Sequence, residues 1–198
     1  METLSFKKLP VYKLKIKEED GQPSQVEYIA LVDAPAIEMD SIAFNKQFKF
    51  AADTERKILT GAFMVADMPI YRVDKGKEFY VVFDKEEIMK IVQKFMRNGF
   101  TSNFNIMHDP NQKTEGVYII ESFIVDSTRG ISPPKAFEGV SEGSWFGSVK
   151  VDNQQIWDEY VKTGTLKGFS VEGIFNSSYI VNEEQSVLEK VADIVKGA

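Results

Sequence analysis

Apolar and charged residues alternate at the start of the chain. Tyr12, Leu14 and Ile16 are interleaved with Lys13, Lys15 and Lys17, which predicts a strand with one buried and one solvated face. Gly21 and Pro23 mark a turn. Val26 to Val32 is then a more continuous apolar run, as a strand covered on both faces would be, and Pro35 stops it. From 38 to 56 no period holds, and this stretch reads as an irregular excursion or mobile arm. Ile58 to Val65 and Phe79 to Phe83 predict further strands.

At Asp84 the period changes. Asp84 reads as a helix N-cap, and Glu87 stands three residues on as its capping-box partner. Ile88, Ile91, Val92 and Phe95 follow at i, i+3, i+4 and i+7, so one stripe is buried, and Asn98-Gly99 ends the helix. A short helix is predicted over 154–162, with Ile156, Trp157, Tyr160 and Val161 inward. An amphipathic helix is predicted over 183–196, capped by Asn182 with Gln185.

Between the helices, 103–108, 117–126, 144–151 and 168–175 read as strands. Many strands with few intervening helices predict a mainly β, α+β domain with peripheral helices. Its sheet should be mostly antiparallel and closed or nearly closed into a barrel. No repeat breaks the 198 residues, so one domain is expected over 1–198. The segment 127–143 has Pro133-Pro134, three glycines and no period, the marks of a functional loop.

Composition narrows the chemistry. There is no cysteine, which removes disulfides, thiolate catalysis and cysteine-bound zinc. A single histidine, His108, argues against a His-rich metal site, and neither metal nor cofactor is expected. The net charge of −6 disfavours nucleic acid but would not repel a basic protein partner. No window reaches membrane-spanning length and residues 1–8 hold no long apolar run, so neither a membrane partner nor a signal peptide is expected.

Two strands carry candidate chemistry. In 117–125 the odd positions are Val117, Ile119, Glu121, Phe123 and Val125, so Glu121 is the lone charge on an apolar face. In 103–108 the even positions are Phe104, Ile106 and His108. If these neighbouring strands pair, Glu121 and His108 share one side of the sheet. The other reading is that Glu121 pairs with a lysine and His108 simply begins the polar turn Asp109-Pro110-Asn111.

The second signal is Leu166-Lys167-Gly168-Phe169-Ser170-Val171-Glu172-Gly173. Glycines flank a small nucleophile in a strand, where glycine often marks close backbone approach. Alternation puts Ser170 and Glu172 on one face. A serine needs a base to react near neutral pH. His108 is the first candidate, and a lysine is the alternative, although Lys167 points to the opposite face of a regular strand. Glu121 is the candidate for orienting the imidazole, with Glu172 second.

Four blocks follow one another along the chain: Leu31-Val32-Asp33-Ala34-Pro35-Ala36, Asn105-Ile106-Met107-His108-Asp109, Gly116-Val117-Tyr118-Ile119-Ile120-Glu121-Ser122-Phe123 and Gly143-Ser144-Trp145-Phe146-Gly147-Ser148-Val149-Lys150-Val151. Trp157 and then 167–173 complete the order. Over about 26–176 these blocks resemble the XkdF-like phage prohead protease family. The family is distantly similar to herpesvirus assemblin, a β-barrel ringed by helices with serine and histidine at its site.

The resemblance implies a serine endopeptidase of phage head maturation with Ser170 as nucleophile and His108 as base. Herpesvirus members use a second histidine. This chain has none, so a carboxylate must substitute, and Glu121 lies inside a matching block. The implied substrates are phage scaffold and major capsid protein, with the protease itself as a further candidate. The implied place is the immature head in the host bacterial cytoplasm, and a homo-oligomer is compatible with it. Oxyanion donors would come from backbone amides near 168–170 or from 127–143, whose only arginine is Arg129. The competing reading is a non-enzymatic capsid- or scaffold-associated module that keeps the fold without turnover.

Overall fold

The structure is a computed structural model and describes residues 9–16, 25–33, 49–174 and 177–181. It opens with β1 (Val11–Ile16), β2 (Gln25–Val32), β3 (Ala51–Asp53) and β4 (Ile58–Met64). The hairpin of β5 (Ile70–Asp74) and β6 (Lys77–Val82) leads into helix α1 (Lys85–Arg97). Then come β7 (Phe104–Ile106), β8 (Val117–Ile124) and β9 (Trp145–Val151). Helix α2 (Gln154–Ile156) continues as a π-helical turn, Trp157–Val161, before β10 (Gly168–Ile174) and β11 (Ser177–Val181).

The strands form three sheets, ordered β11-β1-β6-β5, β10-β2-β7 and β3-β4-β9-β8. Two pairings are parallel, β1 with β6 and β2 with β7; the others are antiparallel. Among the described residues the barrel expected from the sequence is not seen: two of the three sheets are mixed, and none closes on itself. Sequence neighbours do not always pair. Three-residue β7 lies parallel to β2, while β8 pairs with β9 in another sheet. The mainly β, α+β character stands.

One core joins the three sheets to α1. Leu14 and Val81, Ile29 and Phe169, Leu59 and Trp145, and Ile88 and Phe95 all belong to it. Fully burying such a side chain stabilises by about 1.5–3 kcal/mol. The helix starts as its sequence requires: Asp84 accepts the Glu87 backbone N–H at 2.9 Å, and Lys13 of β1 ion-pairs with Asp84 at 2.9 Å. Asn98 caps its other end, where Gly99 has φ +72°.

The excursion expected at 38–56 is only partly described. Residues 34–48 lie outside the described residues, and 51–53 form β3 against β4. The helix predicted over 183–196 also lies outside them. Strands β5 and β11 have no counterpart in the expectations. The segment 127–143 is a folded loop. Asp126 caps the 3₁₀ turn Ser127–Arg129, and Phe137 is buried with its ring 5.2 Å from that of Phe146.

Candidate active site

Strand β10 carries Ser170, and its register determines what the serine faces. Phe169 pairs with Leu31 and Val171 with Ile29, while Phe104 and Ile106 of β7 pair with the same two β2 residues. All six side chains belong to or pack on the core. The alternate positions point the other way. They give one row, Ser170–Ala30–Asn105, and a second in which Glu172 pairs with Tyr28.

Close backbone approach shapes this strand. A Cβ at Gly173 would stand 2.1 Å from the Gln25 carbonyl oxygen, and the register shifts between Glu172 and Gly173. A bulge of this kind re-aims the neighbouring side chain. On the core side, Phe169 packs on Phe63 with ring centres 5.0 Å apart.

His108 is not on the apolar face of β7. The strand ends at Ile106, and Met107 and His108 follow with φ +56° and +59°. The Asp109 N–H donates to the Ile106 carbonyl at 3.0 Å, which closes a two-residue turn. Left-handed conformations at two successive non-glycine residues cost on the order of 1–2 kcal/mol each. The turn is held on both sides. Met107 N–H donates to Leu31 O at 3.0 Å, and Met107 Sδ accepts from Asp33 N–H at 3.4 Å. The Asp109 carboxylate accepts from the Asn111 N–H at 2.9 Å and from Gln112 Nε2 at 2.9 Å. The Asn111 backbone bond, with these side-chain amides, holds the Asp109 carboxyl below the usual range.

This turn brings His108 Nδ1 to 3.4 Å from Glu172 Oε2. The same oxygen accepts from Asn105 Nδ2 at 2.7 Å. An ionised carboxylate only accepts hydrogen bonds, so a neutral imidazole bonded to it donates from Nδ1 and keeps Nε2 as its acceptor nitrogen. The contact is long, as hydrogen bonds at unliganded sites commonly are. Ser170 shares the face of Glu172 and is 4% exposed, and its hydroxyl makes no hydrogen bond to another described residue.

The structure does not bring Glu121 to His108. Strand β8 is in a different sheet from β7, and Glu121 is exposed opposite Ser148. A register shift between Ile119 and Glu121 breaks the alternation that put Glu121 on the apolar face. Among the described residues it has no lysine partner either, so water meets its charge. Lys167 is exposed just before β10, and Arg129 ion-pairs with Asp126 at 2.7 Å.

Asn105 is the residue that sequence reasoning missed. It is 1% exposed, and its Oδ1 is a buried side-chain atom with no partner. Such an orphan costs about 1–3 kcal/mol. The available signal was an amide between Phe104 and Ile106, inside a strand buried on both faces. At the rim, Lys113 Nζ stands 5.1 Å from the centre of the Tyr28 ring, and its hydrogen bond to Tyr28 raises the ammonium pKa. Among the described residues no three histidine, aspartate or glutamate side chains group closely enough to hold a metal ion, and no helix is long and apolar enough to cross a membrane.

Ser170 is buried on the sheet face that bears Glu172, and Glu172 contacts His108 on the turn after β7; among the described residues no hydrogen bond joins Ser170 to His108. The family described as "putative phage serine protease XkdF" matches residues 46–185, more than half of the chain, and the chain belongs to that family. No curated protein and no solved structure matches it.

Proposed function

We propose that the chain is a serine endopeptidase of phage head maturation that cleaves scaffold and capsid-precursor proteins. Ser170 is the nucleophile, His108 the base and Glu172 the orienting carboxylate, the place expected of Glu121. The observation that carries this reading is the 3.4 Å contact of His108 Nδ1 with Glu172 Oε2, on the face of the sheet that bears Ser170. Family membership supports a phage protease role. The net charge of −6 suits basic scaffold segments, and the immature head is the compartment in which such substrates occur.

The chemistry follows from these groups. Ser170 Oγ adds to the scissile carbonyl as Nε2 takes its proton, and Glu172 balances the resulting imidazolium. The imidazolium then protonates the leaving amine. Water, activated by the same nitrogen, releases the acyl group from Ser170.

A fluorophosphonate probe tests the site without knowledge of the cleavage sequence. Ser170 should be labelled, and Ser170→Ala should abolish labelling. His108→Ala should lose nearly as much rate as the double variant, since members of one unit are non-additive. Labelling of Ser170→Ala at the wild-type rate, or its undiminished processing of co-expressed scaffold, would overturn the proposal.

A further inference from the structure

We infer that Asn105 is a positioning residue of this site, and that Ala30 is the small residue that lets it act. The inference rests on the protease reading above. It concerns how the carboxylate is held beneath the imidazole.

Glu172 and Asn105 stand on the two outer strands of the β10-β2-β7 sheet. Their side chains meet at 2.7 Å, so the hydrogen bond crosses the middle strand, between Ala30 and Tyr28. A larger side chain at 30 would stand in that path, and Ala30 is fully buried. The bond fixes the one carboxylate oxygen that also faces His108. Glu172 is otherwise half-exposed and on a flexible stem, with its side chain 38% exposed. Apart from the amide, its one polar side-chain contact among the described residues is the longer one to His108 itself.

The orphaned oxygen points the same way. With Nδ2 committed to the carboxylate, Oδ1 must be the acceptor end of the amide, and it has no partner. A leucine of similar size would avoid that penalty. An amide kept at a cost to stability marks a place where its donor is used.

The test combines three readouts on untagged protein, in which His108 is the sole histidine and gives one set of imidazole nitrogen signals. Asn105→Leu should label with fluorophosphonate about 10–100-fold more slowly, as losing an outer-shell partner does elsewhere. The probe concentration for half-saturation should stay unchanged. Its melting temperature should equal or exceed that of the wild type. The imidazole nitrogen shifts should move away from the Nδ1–H tautomer. Asn105→Ala also removes the donor, and it should show the same slow labelling and altered shifts should the leucine variant fail to fold. Ala30→Val should reproduce the slow labelling with Asn105 intact.

Wild-type labelling in a folded Asn105 variant, or an Nδ1–H tautomer retained in it, would overturn the inference. The tautomer measurement does not depend on turnover. If Ser170→Ala labels like the wild type, the protease reading falls, and the nitrogen shifts still decide the role of Asn105.

Discussion

His108 and Glu172, separated by 64 positions in the chain, meet at 3.4 Å, the imidazole on a strained turn and the carboxylate beside a strand bulge. Under the proposed assignment Glu172→Gln keeps the shape, yet the amide cannot balance an imidazolium and permits the wrong tautomer. Labelling and proteolysis should fall by about 10⁴-fold at most, the loss seen when the acid of a well-formed triad is made neutral. Glu121→Gln, at an exposed position in another sheet, should stay near the wild-type rate. The opposite pattern would return the role to Glu121.

Asp109 braces the turn that presents His108, through its bonds to Asn111 and Gln112. Asp109→Ala should reduce labelling several-fold while the melting temperature changes little, because the carboxylate lies outside the core. The depressed pKa of Asp109 gives a sign to the effect of acid. The brace is present above the ordinary aspartate value and is lost as pH falls through the lowered one. Amide exchange at Asn111, faster in Asp109→Ala, would report the loosened turn directly.

Lys13 and Asp84 tie β1 to the first turn of α1 at 2.9 Å. Burial alone would push the Asp84 carboxyl up, but the Lys13 ammonium and the Glu87 N–H more than offset it and hold it low. The hydrogen bond to Asp84 holds the Lys13 pKa high. Loss of the cap in Asp84→Ala should cost about 0.5–2 kcal/mol near neutral pH. The gap to wild type should be steady through neutrality. It should shrink as acid takes the pH below about 4 through the lowered Asp84 value, and again as base takes it above about 10 through the raised Lys13 value. Thermal melts across pH check both limbs.

Gly147 lies under the aromatic stack that backs Ser170. A Cβ there would stand 2.3 Å from the Phe63 ring and 2.8 Å from the Glu121 backbone oxygen, and Phe63 packs on Phe169. Gly147→Ala should therefore destabilise the fold by about 1–3 kcal/mol through overpacking. Chemical denaturation would measure this, and a variant as stable as wild type would show that the stack yields.

Local order was legible wherever one face of one element decided it. The Lys13–Lys15–Lys17 alternation announced β1, and Asp84 with Ile88, Ile91 and Phe95 announced α1, because a buried stripe and a cap need only neighbours in sequence. The alternation of 168–173 likewise placed Ser170 and Glu172 on one face, and Gly173 proved to be a point of close backbone approach. Strands β3 and β5 were harder to read: β3 has only three residues, and β5 is an edge strand with Tyr71 and Val73 left exposed.

The sequence by itself determined the residue types available for chemistry: one histidine, no thiol, and a serine set between glycines on a strand. It also determined, through the order of its blocks, the family. Only the tertiary structure decided which carboxylate meets the imidazole. Alternation counts faces correctly only while a strand is regular, and both relevant counts were broken. A bulge displaced Glu121, and left-handed backbone at Met107 and His108 turned the imidazole off the face of Phe104 and Ile106. Nor does periodicity say which strands become neighbours. That was set by burial of the core faces of β2, β7 and β10 together, which put Asn105, Ala30 and Ser170 in one row on the opposite side.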